Sequence, residues 1–262
     1  MKHTILSNLS PEYPWKNHLH CFDFIDSTND RLKAMARQGA PHGTVLVADH
    51  QTGGHGRLGR SFQSPEGMGV YMSILLRPEC PPTELMHLTC AAAVAMCDAV
   101  ETVTGLRPGI KWTNDLVCGK RKLGGILTEL GLSPRATVDY AIIGVGINCS
   151  QRREDFPPEL QDMAGSLAMV TGKEISRFRL AGAMMEAFRN MDLSRRGEIL
   201  SRYRRDCITL GQDVSLVRGE EVRHGHALDI DEAGALIVAF PDGTVEAVNS
   251  GEISVRGMYG YV

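Results

Sequence analysis

Three short segments of the sequence carry the residue types that handle phosphate and carboxylate groups. Residues 51–60 read Gln-Thr-Gly-Gly-His-Gly-Arg-Leu-Gly-Arg, residues 111–115 read Lys-Trp-Thr-Asn-Asp, and residues 121–125 read Arg-Lys-Leu-Gly-Gly. Glycine-rich backbone can wrap its N–H groups around an anion, and arginine and lysine add charge-assisted hydrogen bonds. Together the segments predict a site where a nucleotide phosphate lies beside a second anion.

The glycine-rich segment fits neither standard nucleotide-binding loop. Residues 54–59 match G-x-G-x-x-G, and residues 54–61 nearly match a P-loop with Arg60 in place of the lysine. Both motifs must open a helix, whereas residues 62–67, Phe-Gln-Ser-Pro-Glu-Gly, stop one. The sequence therefore argues against a dinucleotide fold. A plain surface loop stays open as the alternative to an anion-binding loop.

Short strands and turns must position these segments. The β-branched and apolar residues 44–48 predict a buried strand that runs directly into the glycine-rich segment. Further strands are predicted at residues 70–76, 109–112, 116–118, 122–129 and 140–147. Alternation along a strand places Lys111 on the face opposite Trp112, whose indole we expect in the core. Asn114 and Asp115 also suit simple turn roles, and a lysine at position 122 suits an exposed edge.

Helices and a second group of strands complete the predicted architecture. Ser27 or Thr28 caps a predicted helix that runs to about residue 38, with Asp30 in a loose capping box. Residues 84–103 predict an internal helix, and residues 177–207 look helical. Short strands are then predicted at residues 213–217, 225–230, 235–240, 244–248 and 253–256. They indicate a small barrel-like unit at the end of the chain.

Composition sets limits on function. The 262 residues carry a formal net charge of −3, so no broad basic surface for nucleic acid is expected. The arginines within residues 202–205 are interpreted as a solvated helix face. The seven cysteines form no C-x-x-C pair, which predicts free, reduced thiols. With no signal peptide and no apolar run near membrane-spanning length, we expect a cytoplasmic protein without a membrane partner.

The sequence resembles biotin protein ligases at five motifs in the same order: residues 27–29, 51–60, 111–115, 121–127 and 144–148. Residues 250–256 resemble the end of that family's small β-barrel domain. The resemblance implies an α+β fold. Its biotin/lipoate ligase-like catalytic domain, a mixed sheet flanked by helices, would occupy residues 1–208, and an SH3-like β-barrel would occupy residues 209–262.

The resemblance also implies a reaction. Biotin and ATP, accompanied by Mg²⁺, would form biotinyl-5′-adenylate. A lysine of a biotin carboxyl carrier protein, the acetyl-CoA carboxylase subunit, would then receive the biotin. Because few residues precede Ser27, we expect the form that lacks an N-terminal DNA-binding domain and has no DNA partner. No metal ligands of the protein itself are assigned, and homodimerisation is left open.

Residue roles follow from the same resemblance. The biotin site is implied at Ser27, Thr28, Asn29, Gln51, Gly54, His55, Gly56, Arg57, Lys122, Gly125, Leu127 and Gly144. The ATP site is implied at Arg57, Arg60, Phe62, Lys111, Asn114, Asp115 and Asn148. Arg57, Lys111, Asp115 and Lys122 are expected to act in catalysis, with Lys122 reaching the biotin carboxylate.

This chain departs from the family pattern at three positions. His55 stands where arginine is usual, so one cation near the phosphates is lost or depends on pH. Thr113 stands where proline is usual, and Phe62 replaces a frequent tryptophan while keeping an aromatic side chain. Two rival functions remain at this point: a lipoate or octanoate ligase on the same scaffold, and a biotin-responsive DNA-binding repressor.

Overall fold

The computed structural model describes residues 1–78, 80–249 and 254–257. Its helices are α1 Lys2–Leu6, α2 Thr28–Arg37, α3 Leu88–Thr104, α4 Leu167–Thr171, α5 Arg177–Arg189 and α6 Arg196–Asp206. Its strands are β1 Leu19–Ile25, β2 Val45–Gln51, β3 Gly69–Leu76, β4 Gly109–Lys111, β5 Asp115–Cys118, β6 Arg121–Leu132, β7 Val138–Asn148, β8 Asp213–Arg218, β9 Glu221–Ile230, β10 Leu236–Ala239, β11 Val245–Val248 and β12 Ser254–Gly257.

The strands form two sheets. The central sheet has seven strands in the order β1-β2-β3-β7-β6-β5-β4, and it is mixed because β1 and β2 run parallel while the remaining neighbours are antiparallel. The C-terminal sheet has five antiparallel strands in the order β11-β10-β9-β8-β12. This confirms the expected fold class, with helices on the mixed sheet and a small β unit consistent with an SH3-like domain.

Both faces of the central sheet are covered. On one face, alternate residues such as Met72 and Ile143 join the main hydrophobic core with α3, α5 and α6. On the other face, Leu75 and Ile142 pack with Leu32 of α2. Successive side chains of β3 and β7 point to opposite faces of the sheet, so each strand contributes residues to two different hydrophobic cores.

Small residues interrupt the packing on the α2 face. Leu75 lies opposite Ile142, but the next pair on this face is Ser73 opposite Gly144, followed by Tyr71 opposite Gly146. Neither a serine nor a glycine fills the space that leucine and isoleucine occupy one step earlier. The sequence therefore leaves an opening between the sheet and the N-terminus of α2.

Most predicted elements occur, with shifted ends. Ser27 caps α2, and its hydroxyl accepts a hydrogen bond from the Asp30 N–H at 3.4 Å, as expected. The predicted helix at 84–103 is split into a 3-10 turn, Pro82–Leu85, and α3, and the predicted helical stretch 177–207 is two helices. Helix α1 and edge strand β1 were not predicted. Of the last predicted strand, Ile253 lies outside the described residues, as do the resembling residues 250–252.

Helix α3 requires one correction. By length and composition, Pro82–Thr104 is a segment, within the part of the chain that the structure describes, that could cross a membrane. The expectation that no apolar run approaches that length was therefore wrong. In this fold 67% of the most apolar 18-residue stretch of this segment is buried inside the protein, where α3 packs against the sheet and α5. The helix ends at Gly105, whose φ of 76° is the left-handed conformation that glycine adopts readily.

Candidate active site

A cavity of about 870 Å³ opens on the α2 face of the central sheet. It lies where Ser73, Gly144 and Gly146 replace large side chains, and the glycine-rich loop covers it from above. Every residue assigned from the sequence to the biotin or ATP site lines this cavity except Gly54. Gly54 instead packs against the returning strand of the loop: its carbonyl oxygen accepts from the Phe62 N–H at 2.8 Å, and a Cβ there would lie 2.7 Å from the Phe62 carbonyl oxygen.

One half of the cavity, which we call the neutral half, is lined by the uncharged side chains of Ser27, Thr28, Asn29 and Gln51, and Ser64 and Ser73 support them through hydrogen bonds from outside the lining. The Gln51 Oε1 atom accepts hydrogen bonds from the Thr28 N–H at 2.9 Å and the Thr28 hydroxyl at 3.0 Å. The Gln51 Nε2 atom donates to Ser64 at 3.0 Å. The Ser73 hydroxyl lies 2.8 Å from the Thr28 hydroxyl and 2.5 Å from the Asn29 Oδ1 atom. The chain of bonds holds each side chain in one orientation.

A carboxylate fixes the orientation of the Asn29 amide. The Asn29 Nδ2 atom donates to the Glu129 Oε2 atom at 2.8 Å, and the Glu129 Oε1 atom pairs with the Lys33 ammonium at 2.9 Å. Since a carboxylate oxygen accepts hydrogen bonds, the amide nitrogen must face Glu129 and the amide oxygen must face Ser73. Sequence reasoning missed Glu129, Ser64 and Ser73, because their roles depend on pairing between distant strands.

Two glycines of β7 make room for this arrangement. A Cβ atom at Gly144 would lie 2.1 Å from the Asn29 Oδ1 atom. A Cβ atom at Gly146 would lie 2.4 Å from the Phe62 ring, which also makes an edge contact with Tyr71. Of the two, Gly144 was expected to be part of the biotin site. Here they admit the side chains of Asn29 and Phe62 against the sheet.

The other half of the cavity, which we call the charged half, contains Arg57, Lys111, Asp115 and Lys122. The Lys122 ammonium lies 2.7 Å from the Asp115 carboxylate, and the Arg57 guanidinium donates to the Asn114 Oδ1 atom at 3.1 Å. Burial lowers the pKa of Arg57 from its ordinary value, with the nearby Asp115 carboxylate opposing that shift. The three predicted cations therefore converge on one cavity.

As predicted from the sequence, no α-helix directly follows the glycine-rich loop among the described residues. The loop contains a single 3-10 turn, Arg57–Gly59, and His55 forms an isolated antiparallel bridge with Ser61. The His55 Nδ1 atom lies 3.0 Å from the Gly53 carbonyl oxygen and 3.8 Å from the Asp30 carboxylate. The loop is thus a hairpin over the cavity, closed by the backbone bond from the Gly56 N–H to the Arg60 oxygen at 2.7 Å.

Two residues of the cavity lining, the predicted core residue Trp112 and the predicted site residue Asn148, have structural contacts of their own. Trp112 is 4% exposed and belongs to the main core, as expected, and the residue also contributes to the cavity lining. Asn148 lines the cavity while its amide donates to the Gly165 carbonyl oxygen at 2.9 Å and accepts from Gln151 at 3.0 Å. The Asn148 side chain therefore also anchors the chain that follows β7.

The segment at residues 156–164 forms a wall that sequence reasoning did not identify. Phe156, Leu160, Asp162, Met163 and Ala164 line the cavity. The segment is attached alongside Lys122, whose N–H donates to the Met163 oxygen at 2.7 Å and whose oxygen accepts from the Gly165 N–H at 2.8 Å. The sequence signal was weak, because the segment contains one 3-10 turn, Pro158–Leu160, and no periodic apolar pattern.

Comparison with known proteins supports a family assignment. The model of the Biotin/lipoate A/B protein ligase family matches residues 21–148, and that of the Biotin protein ligase C terminal domain matches residues 209–256. The chain is 35% identical to the bifunctional ligase/repressor BirA of Bacillus subtilis, over 91% of this chain and 74% of that protein. It is 31% identical to the biotin–[acetyl-CoA-carboxylase] ligase of Mycobacterium tuberculosis, over 87% and 85%.

Solved structures agree with this assignment. The biotin protein ligase of Aquifex aeolicus in complex with biotin and ATP superposes with a TM-score of 0.74 at 32% identity, covering 91% of this chain and 98% of that one. The enzyme of Leishmania major in complex with biotinyl-5-AMP gives a TM-score of 0.63 at 24% identity, a likeness of fold. From its motifs, its fold and these relatives, the chain belongs to the biotin protein ligase family.

Proposed function

We propose that this chain is an ATP-dependent biotin protein ligase. It forms biotinyl-5′-adenylate from biotin and ATP, and it then transfers the biotin to a lysine of a biotin carboxyl carrier protein of acetyl-CoA carboxylase. The observation that carries the proposal is that Arg57, Lys111 and Lys122 line the same cavity as the uncharged hydrogen-bonding groups of the neutral half.

The neutral half suits the ureido ring of biotin, which is uncharged and rich in hydrogen-bonding groups. Ser27, Thr28, Asn29 and Gln51 present hydroxyl and amide groups to the cavity in fixed orientations. Leu127 and the backbone at Gly125 line the path from this half to Lys122. An apolar lining there suits the aliphatic chain that carries the biotin carboxylate.

The charged half brings two anions together. In the first step a carboxylate oxygen of biotin attacks the α-phosphorus of ATP, the bond to the β-phosphate oxygen breaks, and pyrophosphate leaves. Two unit negative charges at ~4 Å repel by about 4 kcal/mol at an effective dielectric of ~20. Lys122, Arg57 and Lys111 offset that repulsion and the charge that develops on the phosphate oxygens.

Magnesium would enter with ATP, and the donor set of the cavity fits it. Asp115 supplies a carboxylate in the charged half, and Asp162 supplies another on the wall. No group of three His, Cys, Asp or Glu is placed to hold a metal among the described residues, so most ligands would come from phosphate and water. When bound, the ion supplies positive charge at the phosphates.

In the second step the amine of a carrier lysine attacks the carbonyl carbon of the adenylate. The carbon–oxygen bond to the phosphate breaks and AMP leaves, the lysine nitrogen releases one proton to solvent, and the lysine retains biotin in an amide bond. A mixed anhydride reacts with water, so its protection matters. The hairpin that carries His55, Arg57 and Phe62 covers the cavity and provides that shield.

The proposed function is tested by the mass of a carrier domain. We expect the mass to increase by one biotinyl group after incubation with this protein, biotin and ATP. Omission of biotin or ATP, or replacement of the carrier's acceptor lysine by arginine, should abolish the change. An unmodified carrier under the complete conditions, confirmed with a carrier that a known ligase does modify, would contradict the proposal.

The rival functions find less support. A linear octanoyl or lipoyl chain offers nothing for the amides and hydroxyls of the neutral half to bond. As for DNA binding, residues 1–26 form only α1, a 3-10 turn at Lys16–His18 and β1, none of which resembles a recognition helix. We further propose that the enzyme acts in the cytoplasm and without DNA. Homodimerisation stays a prediction to be measured.

A further inference from the structure

The chain between β4 and β5 is held from behind by residues far along the sequence. The Trp112 N–H donates to the Thr209 hydroxyl at 2.9 Å, and the Trp112 indole N–H donates to the Gly234 carbonyl oxygen at 3.0 Å. The Tyr203 hydroxyl donates to the Thr113 carbonyl oxygen at 2.9 Å. Every one of these partners lies in α6 or in the C-terminal region that begins at residue 209.

Strand β4 needs such support because of its place in the sheet. It is a three-residue strand at the sheet edge, and β5 is its neighbour within the sheet. On its open side, the Ile110 carbonyl oxygen accepts a hydrogen bond from the Ile208 N–H at 2.9 Å. An edge strand this short has few bonds of its own to fix its position. The chain around residue 208 therefore completes the edge that carries Lys111.

The turn at Gly234 fits tightly against the catalytic core. Its φ of 84° is left-handed, and a Cβ atom there would lie 2.9 Å from the Cys90 Sγ atom of α3. The Asp231 carboxylate accepts from the Ala233 and Ala235 N–H groups at 2.8 Å each, which fixes the turn. The Arg204 guanidinium of α6 donates to the Ile230 carbonyl oxygen at 3.0 Å. The turn therefore presents its carbonyl to Trp112 from a defined position.

We propose that Thr209 and the turn at Gly234 are positioning residues for the nucleotide side of the active site. They hold Trp112, and through it they set the neighbouring Lys111, Asn114 and Asp115 against the cavity. The inference rests on the proposed ligase function. It assigns to the C-terminal sheet a task in ATP use that leaves the neutral half, and hence biotin binding, unaffected.

A pair of matched glycines tests the turn. Gly234→Ala adds a methyl group against Cys90, whereas Gly243→Ala adds one at φ 85° with no atom within 4 Å. Both alanine variants place a Cβ atom at nearly the same left-handed φ. A difference in their kinetic constants therefore reports the steric clash with Cys90. We expect Gly234→Ala to raise the KM for ATP by about tenfold, the effect of one lost hydrogen bond, with the KM for biotin unchanged. Equal kinetic constants in the two variants would overturn the proposal.

Thr209 gives a second test in case Gly234→Ala does not fold. Thr209→Val keeps the shape of the side chain but removes the oxygen that the Trp112 N–H bonds, while Thr209→Ser keeps the oxygen. We expect the valine variant to raise the KM for ATP by about tenfold and the serine variant to restore it. A rise of the same size in both variants would indicate a packing role alone and would contradict the inference.

A spectroscopic measurement separates positioning from catalysis. The chain has two tryptophans, Trp15 and Trp112, so Trp15→Phe leaves Trp112 as the source of indole fluorescence. In that background we expect Gly234→Ala to shift the emission to the red, and Gly243→Ala to leave it unchanged. If the folded Gly234→Ala variant shows no red shift of the Trp112 emission, the inference is contradicted regardless of the measured ligase activity. Absence of biotin-dependent activity in the wild type would instead refute the proposed function.

Discussion

The two halves of the cavity are built by opposite means. In the neutral half, Thr28, Asn29 and Ser73 are buried, lie on α2 and the central strand β3, and bond one another. In the charged half, Arg57 comes from a hairpin loop, and Lys111 comes from a three-residue edge strand. Under the proposed function, shape recognition is thus built into the sheet, while the cations that would promote reaction depend on a loop and, by our further inference, on the packing of the C-terminal sheet.

Because the two halves are built differently, substitutions in them should impair different steps. A change within the neutral half leaves buried polar groups unpaired and should weaken binding of the uncharged ligand. A change in the charged half removes stabilisation of developing charge and should slow the chemical step. The two halves should therefore be separable by their effects on different kinetic constants.

Removal of a cation should have the largest effect. We expect Lys122→Ala and Arg57→Ala each to reduce adenylate formation by about 10²–10³-fold, because the charge that develops at the phosphate is left without its partner. Biotin-dependent exchange of pyrophosphate into ATP measures this step. Lys173→Ala removes an exposed lysine of the α4–α5 connection and serves as the control. Exchange at the wild-type rate in either cavity variant would refute the assignment.

The neutral half is tested at Ser73, which is fully buried. Ser73→Ala leaves the Asn29 Oδ1 atom and the Thr28 hydroxyl without this partner, at a cost of about 1–3 kcal/mol. We expect the KM for biotin to rise by about tenfold or more, with little change in the KM for ATP. Equal changes in both constants would show that the two halves are not separable as described.

A smaller effect is expected at His55, on the loop that covers the charged half. His55→Arg places a guanidinium, which can bond two phosphate oxygens, at the position of an imidazole. We therefore expect kcat/KM for ATP in adenylate formation to rise by about two- to fivefold, the effect of one exposed ionic contact. Steady-state kinetics of both proteins test this, and an unchanged kcat/KM would make His55 a bystander.

The smallest expected effect concerns stability behind the charged half. His87 caps α3 beside Gly234, its Nε2 atom lies 3.2 Å from the Leu193 carbonyl oxygen, and burial lowers its pKa below the ordinary 6.5. The unfolded chain then binds a proton at a higher pH than the folded protein does. The free energy of unfolding should therefore fall as the pH drops below about 6.5.

The matched variant for this effect is His87→Gln, which keeps an N–H donor and does not titrate. His20 and His42 also have lowered pKa values through burial, so the wild type alone cannot isolate His87. Urea unfolding of both proteins across mildly acidic pH gives the comparison. Parallel stability curves would show that His87 does not contribute.

The sequence predicted the charged half better than the neutral half. Lys111, Asp115 and Lys122 lie in contiguous motifs at a strand end and in a tight turn. Their residue types and spacing indicate an anion-binding site without knowledge of the fold. Ser73 and Glu129 act through strands that come together only in the folded sheet, so local pattern could not assign them. The same reason hid the wall at residues 156–164, which lacks a periodic apolar pattern.

The predicted fold differs from the structure where an element forms through its tertiary contacts and not through its local sequence pattern. Edge strand β1 shows no regular alternation of buried and exposed residues and was missed, although it pairs with β2 in register from Leu19 with Val45 onward. The domain division at residue 208 stays a prediction. Residue 208 bonds β4, and residues 209 and 234 bond Trp112 directly after β4, so the two units are not independent in their contacts.

The most direct test of the central claim is exchange of labelled pyrophosphate into ATP by the wild-type protein with a series of acids. If one cavity joins a ureido-binding half to a charged half, exchange will require biotin and will be weak with octanoate or lipoate. Exchange without added acid, or equal exchange with octanoate, would contradict the account.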